Sequence, residues 1–205
     1  MTEWGQPIWE GLTEAPALDQ VNLVLGIVGV ILMIRRSLWA FPVGMVAVTV
    51  QGVLFWQWKF YADAELQAVF FGCLVYGWWH WVKHKGTARE LPITTLSGRT
   101  GWVVAAGVLT LGWGTWQQVN TDAVMPYRDT FIASFSMAAQ VLQVRKRLEN
   151  WVGWVVVNSV AGVTYWAAGL FYTSFLYVVF FGMGVVGWWQ WYRAMTGGGV
   201  GRHAE

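Results

Sequence analysis

Gly77-Trp78-Trp79-His80-Trp81 closes an apolar segment in the first half of the chain, and Gly187-Trp188-Trp189-Gln190-Trp191 closes another in the second half. The two pentapeptides lie 110 residues apart. Phe70-Phe71-Gly72 returns at the same displacement as Phe180-Phe181-Gly182, without a gap. Agreement at one displacement indicates that the chain contains an internal repeat. Further pairs at this displacement are Arg35-Arg36 with Arg145-Lys146 and Leu66 with Leu176.

The composition around these motifs is that of an integral membrane protein. Of 205 residues, 56% are hydrophobic and 12% are charged, whereas a soluble domain carries about 25% charged residues. A spanning helix needs about 20 residues, so the length leaves no room for a separate soluble catalytic or nucleic-acid-binding domain. The apolar segments predict seven spanning helices, at roughly 18–34, 38–58, 64–82, 101–119, 129–145, 151–168 and 172–192.

Several classes of site are excluded by what the sequence lacks. The single cysteine, Cys73, rules out a disulfide framework and a cysteine zinc site. No GxxxxGK[ST] phosphate loop is present, which excludes ATP hydrolysis by this chain. No charged residue lies in the middle of a predicted span, and buried charge usually marks proton or ion pathways. We therefore expect no enzyme, metal or cofactor, and passive movement of a neutral or weakly charged solute.

The basic residues predict the orientation, because cytoplasmic loops carry an excess of Lys and Arg. Two of the 13 basic residues, Lys59 and Arg128, fall on one set of loops. The N-terminus should therefore lie outside and the C-terminus in the cytoplasm. The other set of loops carries Arg35, Arg36, Lys83, Lys85, Arg89, Arg99, Arg145, Lys146, Arg147, Arg193 and Arg202.

The displacement equals four spans, so both copies should enter the membrane in the same direction. This predicts a triple-helix bundle over 18–82 and a second over 129–192, joined by a loop, a linker helix and an external loop over 83–128. An external segment, 1–17, and a cytoplasmic tail, 193–205, complete the chain. Parallel repeats are one known transporter plan, with substrate bound near mid-membrane between the bundles. The alternative is a gene duplication without a transport role.

The loop 83–99 and the Gly-rich tail are predicted to be plain polar connectors. Six tryptophans at the ends of the third and seventh spans are predicted to form interfacial belts, which are common at both membrane surfaces. Trp151, close to the same surface, fits a belt and a substrate site about equally. The six predicted belt residues are Trp78, Trp79, Trp81, Trp188, Trp189 and Trp191.

Uncharged polar residues share helix faces within the spans. Amides that face lipid would leave hydrogen-bond donors unpaired, so these faces should point inward. Helix–helix hydrogen bonding, worth about 0.6 kcal/mol per contact, competes with ligand contact as the explanation; for the two faces together we favour a solute cavity. The faces are Ser136, Gln140 and Gln143 on the fifth span and Trp151, Trp154, Asn158 and Tyr165 on the sixth, with Gln51 near the centre of the second.

The repeat makes the sixth-span face asymmetric. At a displacement of 110 residues, Trp154 corresponds to Gly44 and Asn158 to Val48. Packing alone does not require one copy to be aromatic and polar and the other small and apolar. A single ligand held mainly by the second bundle would.

Asn150-Trp151-Val152-Gly153-Trp154-Val155-Val156-Val157-Asn158 resembles the NWxxWxxxN/D signature of PnuC-type vitamin transporters. The stretches 169–177 and 60–67, each followed by its Gly-Trp-Trp motif, are similar to that family as well, so the resemblance covers about residues 20–192. It implies a seven-helix 3-1-3, SWEET-like fold, usually a homotrimer, in the bacterial inner membrane. It also implies facilitated uptake of nicotinamide riboside, trapped by a cytosolic riboside kinase. The family's WxxW pair falls on Trp151 and Trp154.

Relatives in that family carry thiamine or riboflavin, so other B vitamins stay open as substrates. A small-sugar uniporter and a non-transporting membrane scaffold or sensor are further alternatives. Trp faces attract a pyridinium cation, with about 2 kcal/mol or more when desolvated, and amides pair with a carboxamide and hydroxyls. The predicted substrate-binding residues are Trp151, Trp154, Asn158, Gln51, Gln67, Gln140, Gln143, Tyr165 and Tyr177.

Overall fold

The computed structural model describes residues 17–57, 61–85, 91–96, 99–120, 126–167 and 171–197. Within these ranges the protein is all-helical, with seven helices and one isolated β-bridge, which confirms the predicted fold class. The helices are α1 (Ala17–Ile34), α2 (Ala40–Gln57), α3 (Tyr61–His84), α4 (Arg99–Asn120), α5 (Pro126–Val144), α6 (Asn150–Ala167) and α7 (Phe171–Gly197).

The predicted spans differ from the helices mainly at their ends. The largest difference is at α7, which continues to Gly197, so the predicted tail 193–205 begins inside a helix. The last turns of α7 are polar, and hydropathy therefore ends the segment too early. The predicted external segment, apart from Ala17, and residues 198–205 lie outside the described residues.

The outer surface of the helices is apolar. Val21, Val24 and Val28 form an exposed stripe along α1, and Val104 and Val108 lie exposed on α4. Soluble monomers rarely expose contiguous apolar surface on this scale, whereas lipid requires it. By length and hydropathy alone, one described helix, α1, is long and apolar enough to cross a membrane. The other helices carry more Trp, Gln, Thr and charged residues, which lower their hydropathy.

Helix packing divides the molecule into a first set, α1–α3, and a second set, α5–α7. Within each set consecutive helices pack together, and α4 packs on α5. Two contacts join the sets, α3 on α5 and α1 on α7. These contacts are equivalent under the 110-residue displacement, because α1 corresponds to α5 and α3 to α7.

Two buried tryptophans, Trp81 and Trp191, make reciprocal hydrogen bonds between the sets. Trp81 donates its indole N–H to the carbonyl of Val144 at 2.8 Å, and Trp191 donates to the carbonyls of Ile34 at 3.2 Å and Met33 at 3.3 Å. The last carbonyls of a helix lack intrahelical partners, so each tryptophan satisfies the end of a helix in the other set. We call Trp81 and Trp191 the tryptophan pair.

The prediction that this pair belongs to an interfacial belt is wrong, since the exposed fractions of Trp81 and Trp191 are 4% and 0%. Depth along the helix suggested a belt, but the side chains lie on the faces where the two sets meet. The other four tryptophans of the repeated motif are exposed, as a belt requires. They are Trp78, Trp79, Trp188 and Trp189.

The glycine of the repeated motif makes room for an aromatic ring. A Cβ atom on Gly77 would lie 2.5 Å from the ring of Phe41, and one on Gly187 would lie 2.6 Å from the ring of Trp151. Phe41 and Trp151 then pack edge-on against the tryptophan pair, with ring centroids 5.0 and 5.5 Å apart. The spacing Gly-Trp-Trp-x-Trp therefore places a gap and a hydrogen-bond donor one turn apart on one helix face.

The helices that lead each set end in the same way. Arg36 and Lys146, 110 residues apart, both adopt the left-handed conformation, with φ of 57° and 51°. Crossed backbone hydrogen bonds of the Schellman type close both ends. They run from the N–H groups of Arg36 and Ser37 to the carbonyls of Met33 and Leu32, and from those of Lys146 and Arg147 to those of Gln143 and Leu142. We call the end of the molecule with these two turns the basic end.

Residues 91–96, between α3 and α4, dock on the turn between α5 and α6. Thr94 donates its N–H to the carbonyl of Lys146 at 3.2 Å and accepts from the N–H of Leu148 at 2.9 Å. The prediction that 83–99 is a plain connector is therefore wrong for this segment, because backbone pairing leaves no composition signal. Side chains add two bonds, from Arg147 to the carbonyl of Thr95 at 2.9 Å and from the N–H of Leu96 to Glu149 at 3.0 Å.

Replacing either member of the tryptophan pair by Phe keeps an aromatic ring and removes the indole N–H. We expect Trp81→Phe and Trp191→Phe each to cost about 1–3 kcal/mol, because a buried carbonyl loses its donor. Thermal unfolding in detergent at a fixed scan rate measures the loss. Trp79→Phe and Trp189→Phe, at exposed positions of the same motif, are the controls. Equal unfolding temperatures for Trp81→Phe and Trp79→Phe would contradict this role.

Candidate functional site

A cavity of about 390 Å³ lies between the two helix sets. Six helices line it, and α4 contributes none of its lining residues. Gly26, Gly29 and Gly44 lie on the walls given by α1 and α2, where small side chains leave space. Polar and aromatic lining residues come mainly from α5, α6 and α7. The cavity is thus apolar on one side and rich in hydrogen-bonding groups on the other.

Eight of the nine predicted site residues line this cavity. Tyr165, the ninth, is not among its lining residues; its ring stacks on that of Tyr177, with centroids 5.3 Å apart, and so supports the lining from behind. The binding role of all nine stays a prediction. The eight lining residues are Gln51, Gln67, Gln140, Gln143, Trp151, Trp154, Asn158 and Tyr177.

Trp154 is held in a fixed orientation. Its indole N–H donates to Oε1 of Gln143 at 2.7 Å, across the contact between α5 and α6. The bond uses the carbonyl oxygen of the Gln143 side chain, whose amide nitrogen keeps its capacity to donate. A half-buried indole with its N–H satisfied presents its ring face as the remaining binding surface. The two predicted helix faces therefore meet through this bond.

Gln140 is the most deeply buried amide of the cavity wall, with 6% of its side chain exposed. Its Nε2 atom has no hydrogen-bond partner among the described residues. A buried donor without a partner costs about 1–3 kcal/mol, so such an atom in a cavity wall favours a polar ligand or water nearby. Asn158, on α6, is buried almost as deeply.

Trp151 lies in the interior, which settles its position against the interfacial belt. Its exposed fraction is 2%, and its ring packs edge-on against Trp191. It lines the cavity at the same time. Trp151 therefore connects the tryptophan pair to the cavity, and a change in one is felt by the other.

Sequence reasoning missed Asn22. Its side-chain nitrogen donates to Oε1 of Gln51 and so joins α1 to α2 beside the cavity. Asn22 is not among the lining residues; it positions one that is. An amide within the most apolar helix of the chain was the available signal, since polar residues inside spans seldom lack a partner.

The predicted asymmetry between the repeats is present at the cavity. Gly44 and Val48 line it, as do Trp154 and Asn158, which correspond to them in the second set. None of the lining residues is Asp, Glu, Lys or Arg. Within the described ranges, no three His, Cys, Asp or Glu side chains come together as metal ligands would. The arrangement suits an aromatic solute with hydrogen-bonding substituents, held without a fixed countercharge.

Comparison with known proteins gives a consistent match along the chain. Residues 17–193 match a family model described as nicotinamide mononucleotide transporter. The nicotinamide riboside transporter PnuC of Escherichia coli (strain K12) is 26% identical over 200 residues, covering 84% of each chain. The riboflavin/roseoflavin transporter RibM of Streptomyces davaonensis is 27% identical over 182 residues, covering 83% of this chain and 84% of RibM.

A solved structure shares the fold. The crystal structure of the vitamin B3 transporter PnuC superposes with a TM-score of 0.74 at 20% identity, covering 94% of this chain and 88% of that one. The match extends over nearly all of the described helices, so the fold of the two chains is the same.

Proposed function

The chain belongs to the nicotinamide mononucleotide transporter family, and from that premise we propose that it imports nicotinamide riboside by facilitated diffusion. The observation that carries the proposal is the cavity between the helix sets, with Trp154 oriented by Gln143 and with amides but no charged group in its lining. One of the curated relatives is itself a nicotinamide riboside transporter.

The chemistry of the cavity suits this solute. Nicotinamide riboside has a pyridinium cation, a carboxamide and sugar hydroxyls. The ring face of Trp154 can stack on the pyridinium, an attraction worth about 2 kcal/mol or more when desolvated. Gln140 and Asn158 offer amides for the carboxamide or the ribose. The remaining predicted contacts, Gln51, Gln67, Gln143, Trp151 and Tyr177, line the same space, with Tyr165 behind Tyr177.

Riboflavin is the second candidate, because RibM is as similar to this chain as the PnuC relative is. The cavity volume favours the smaller solute: about 390 Å³ lies near the lower end of the roughly 300–1,000 Å³ seen for small-molecule sites. Thiamine is a third possibility of intermediate size. A non-transporting scaffold explains neither the unpartnered Gln140 donor nor the asymmetry of the two cavity walls.

Passive transport follows from the absence of charge in the cavity lining. Ion-coupled carriers place ionisable residues within the membrane, and the residues that line this cavity include none. Net uptake then requires that the product be removed, and phosphorylation by a cytosolic riboside kinase would trap it. We expect no catalytic role for the chain itself.

We also propose how the protein sits in the membrane. The two equivalent contacts between the helix sets support a parallel 3-1-3 repeat, with bundles over 18–82 and 129–192. The basic end faces the cytoplasm of a bacterial inner membrane, with the N-terminus outside. A homotrimer, implied by the family resemblance, would cover part of the apolar surface that α4 leaves exposed.

Liposomes that contain the purified protein should take up labelled nicotinamide riboside until the inside and outside concentrations are equal. An imposed proton or sodium gradient should leave this final level unchanged, provided that the membrane potential is held at zero. Empty liposomes are the control, and unlabelled riboflavin and thiamine serve as competitors. Uptake no faster than into empty liposomes would refute transport of this solute, and accumulation above the outside concentration would refute the passive mechanism.

Substitutions in the cavity should weaken binding, as measured by calorimetry on monodisperse protein. Trp154→Ala removes the stacking surface, and a loss of about 1–3 kcal/mol corresponds to roughly tenfold to hundredfold weaker affinity. Asn158→Leu should cost about 1–3 kcal/mol by leaving polar groups of the ligand unpaired.

Matched controls lie on surfaces away from the cavity. Ser159→Leu changes the exposed neighbour of Asn158, and Trp116→Ala removes an exposed tryptophan from α4, which does not line the cavity. Both should bind like the parent. If Trp154→Ala keeps the parental affinity while Trp116→Ala loses it, the substrate binds elsewhere.

The orientation can be measured with topology reporters. A reporter fused after Glu205 should be active on the cytoplasmic side, and one fused before Thr2 on the external side. The reason is that 11 of the 13 basic residues lie on one set of loops. The opposite labelling of both ends would overturn the proposed topology.

A further inference from the structure

A second cavity, of about 450 Å³, opens at the basic end. It is bounded by the turn between α1 and α2, the end of α3, and two residues from beyond the first set, Leu91 and Lys146. Trp81 of the tryptophan pair forms part of its wall. It shares no lining residue with the cavity described above, so it is a separate site.

The charge in this second cavity is of one sign. Arg36, Lys85 and Lys146 line it together with His84, and no Asp or Glu is among the lining residues. Lys146 is held in place, because its Nζ donates to the carbonyl of Leu91 at 3.0 Å and lies 4.5 Å from the ring centroid of Trp81. Cationic groups gathered without a countercharge repel one another, which favours an anion among them.

The repeat supplies an internal comparison for this cavity. At the equivalent turn of the second set, residues 91–96 dock and bring carbonyl oxygens to Lys146 and Arg147. At the turn of the first set, with the same backbone conformation, no described segment docks. The first-set groove is therefore open where its counterpart is filled, and Arg36 has no oxygen from the described part of the chain in the place that residues 91–96 take at the other turn.

The position of the cavity indicates where such oxygens could come from. Trp39 and Trp78 are exposed on its rim, and exposed tryptophans are typical of the level of lipid headgroups. Basic pockets between spanning helices at this level suit anionic headgroups. An Arg guanidinium also matches the geometry of phosphate oxygens.

We propose that this cavity binds a phosphate group, supplied by an anionic phospholipid of the adjacent leaflet. The phosphate lies between Arg36, on the turn that ends α1, and Lys146, on the turn that ends α5. It therefore bridges the two helix sets beside Trp81. The bound lipid stabilises the contact that the tryptophan pair makes.

Thermal unfolding of the full-length protein in detergent tests this proposal. Phosphatidylglycerol should raise the Tm by about 2–4 °C relative to the same amount of phosphatidylcholine, since a ligand that binds the folded state stabilises it. A separate sample with inorganic phosphate and no lipid distinguishes a lipid headgroup from a free anion.

Variants show whether the effect arises at this cavity. Arg36→Asn removes the charge and keeps a residue that tolerates a positive φ, and Lys85→Gln removes the second charge. Both should lose the shift. The controls, Arg35→Gln and Lys83→Gln, remove neighbouring exposed charges that do not line the cavity, and both should keep it.

Each outcome decides the matter. A shift with phosphatidylglycerol that only Arg36→Asn and Lys85→Gln abolish supports a lipid site, and the same pattern with inorganic phosphate alone supports a site for a soluble phosphate. No shift in either sample overturns the proposal. A shift that the Arg35→Gln and Lys83→Gln controls lose equally also overturns it, because general surface charge then explains the effect.

Discussion

Two indole hydrogen bonds hold the halves of this protein together, and the rest of the structure depends on them. Between helices in lipid there is no hydrophobic driving force, so association relies on close packing and hydrogen bonds. Trp81 and Trp191 provide both, because each is buried and each bonds to the carbonyl end of a helix in the other set. Gly77 and Gly187 let the aromatic rings behind the pair approach closely enough to hold it.

The cavity follows from this arrangement. With the sets joined at the basic end, α2 and α6 face each other across the space between them, and the repeat places Gly44 opposite the counterpart Trp154. Two large residues at these positions would fill the space, and two small ones would offer a ligand little contact. The difference between the copies therefore creates a wall that binds and a wall that makes room.

The sequence predicts much of this structure, because the fold is set by apolar segments and by a repeat without gaps. It also places eight polar and aromatic residues on faces that meet at one cavity, since an amide inside a membrane must point away from lipid. It predicts Trp81 and Trp191 wrongly, because depth along a helix does not say which face a side chain occupies. The docking of residues 91–96 leaves no trace in the sequence, since backbone atoms make the pairing. Asn22 is missed because its role depends on a neighbour, Gln51, on another helix.

The docked segment also bears on how a duplicated protein loses its symmetry. A dimer of two identical three-helix units would make both indole bonds and leave two identical grooves at its basic end. Joining the units into one chain requires a single additional helix to keep them pointing the same way. The stretch that leads into that helix, residues 91–96, can fill one groove only. Fusion of the two units thus makes their basic ends unequal without any change in the units themselves, and each half becomes free to acquire a different task.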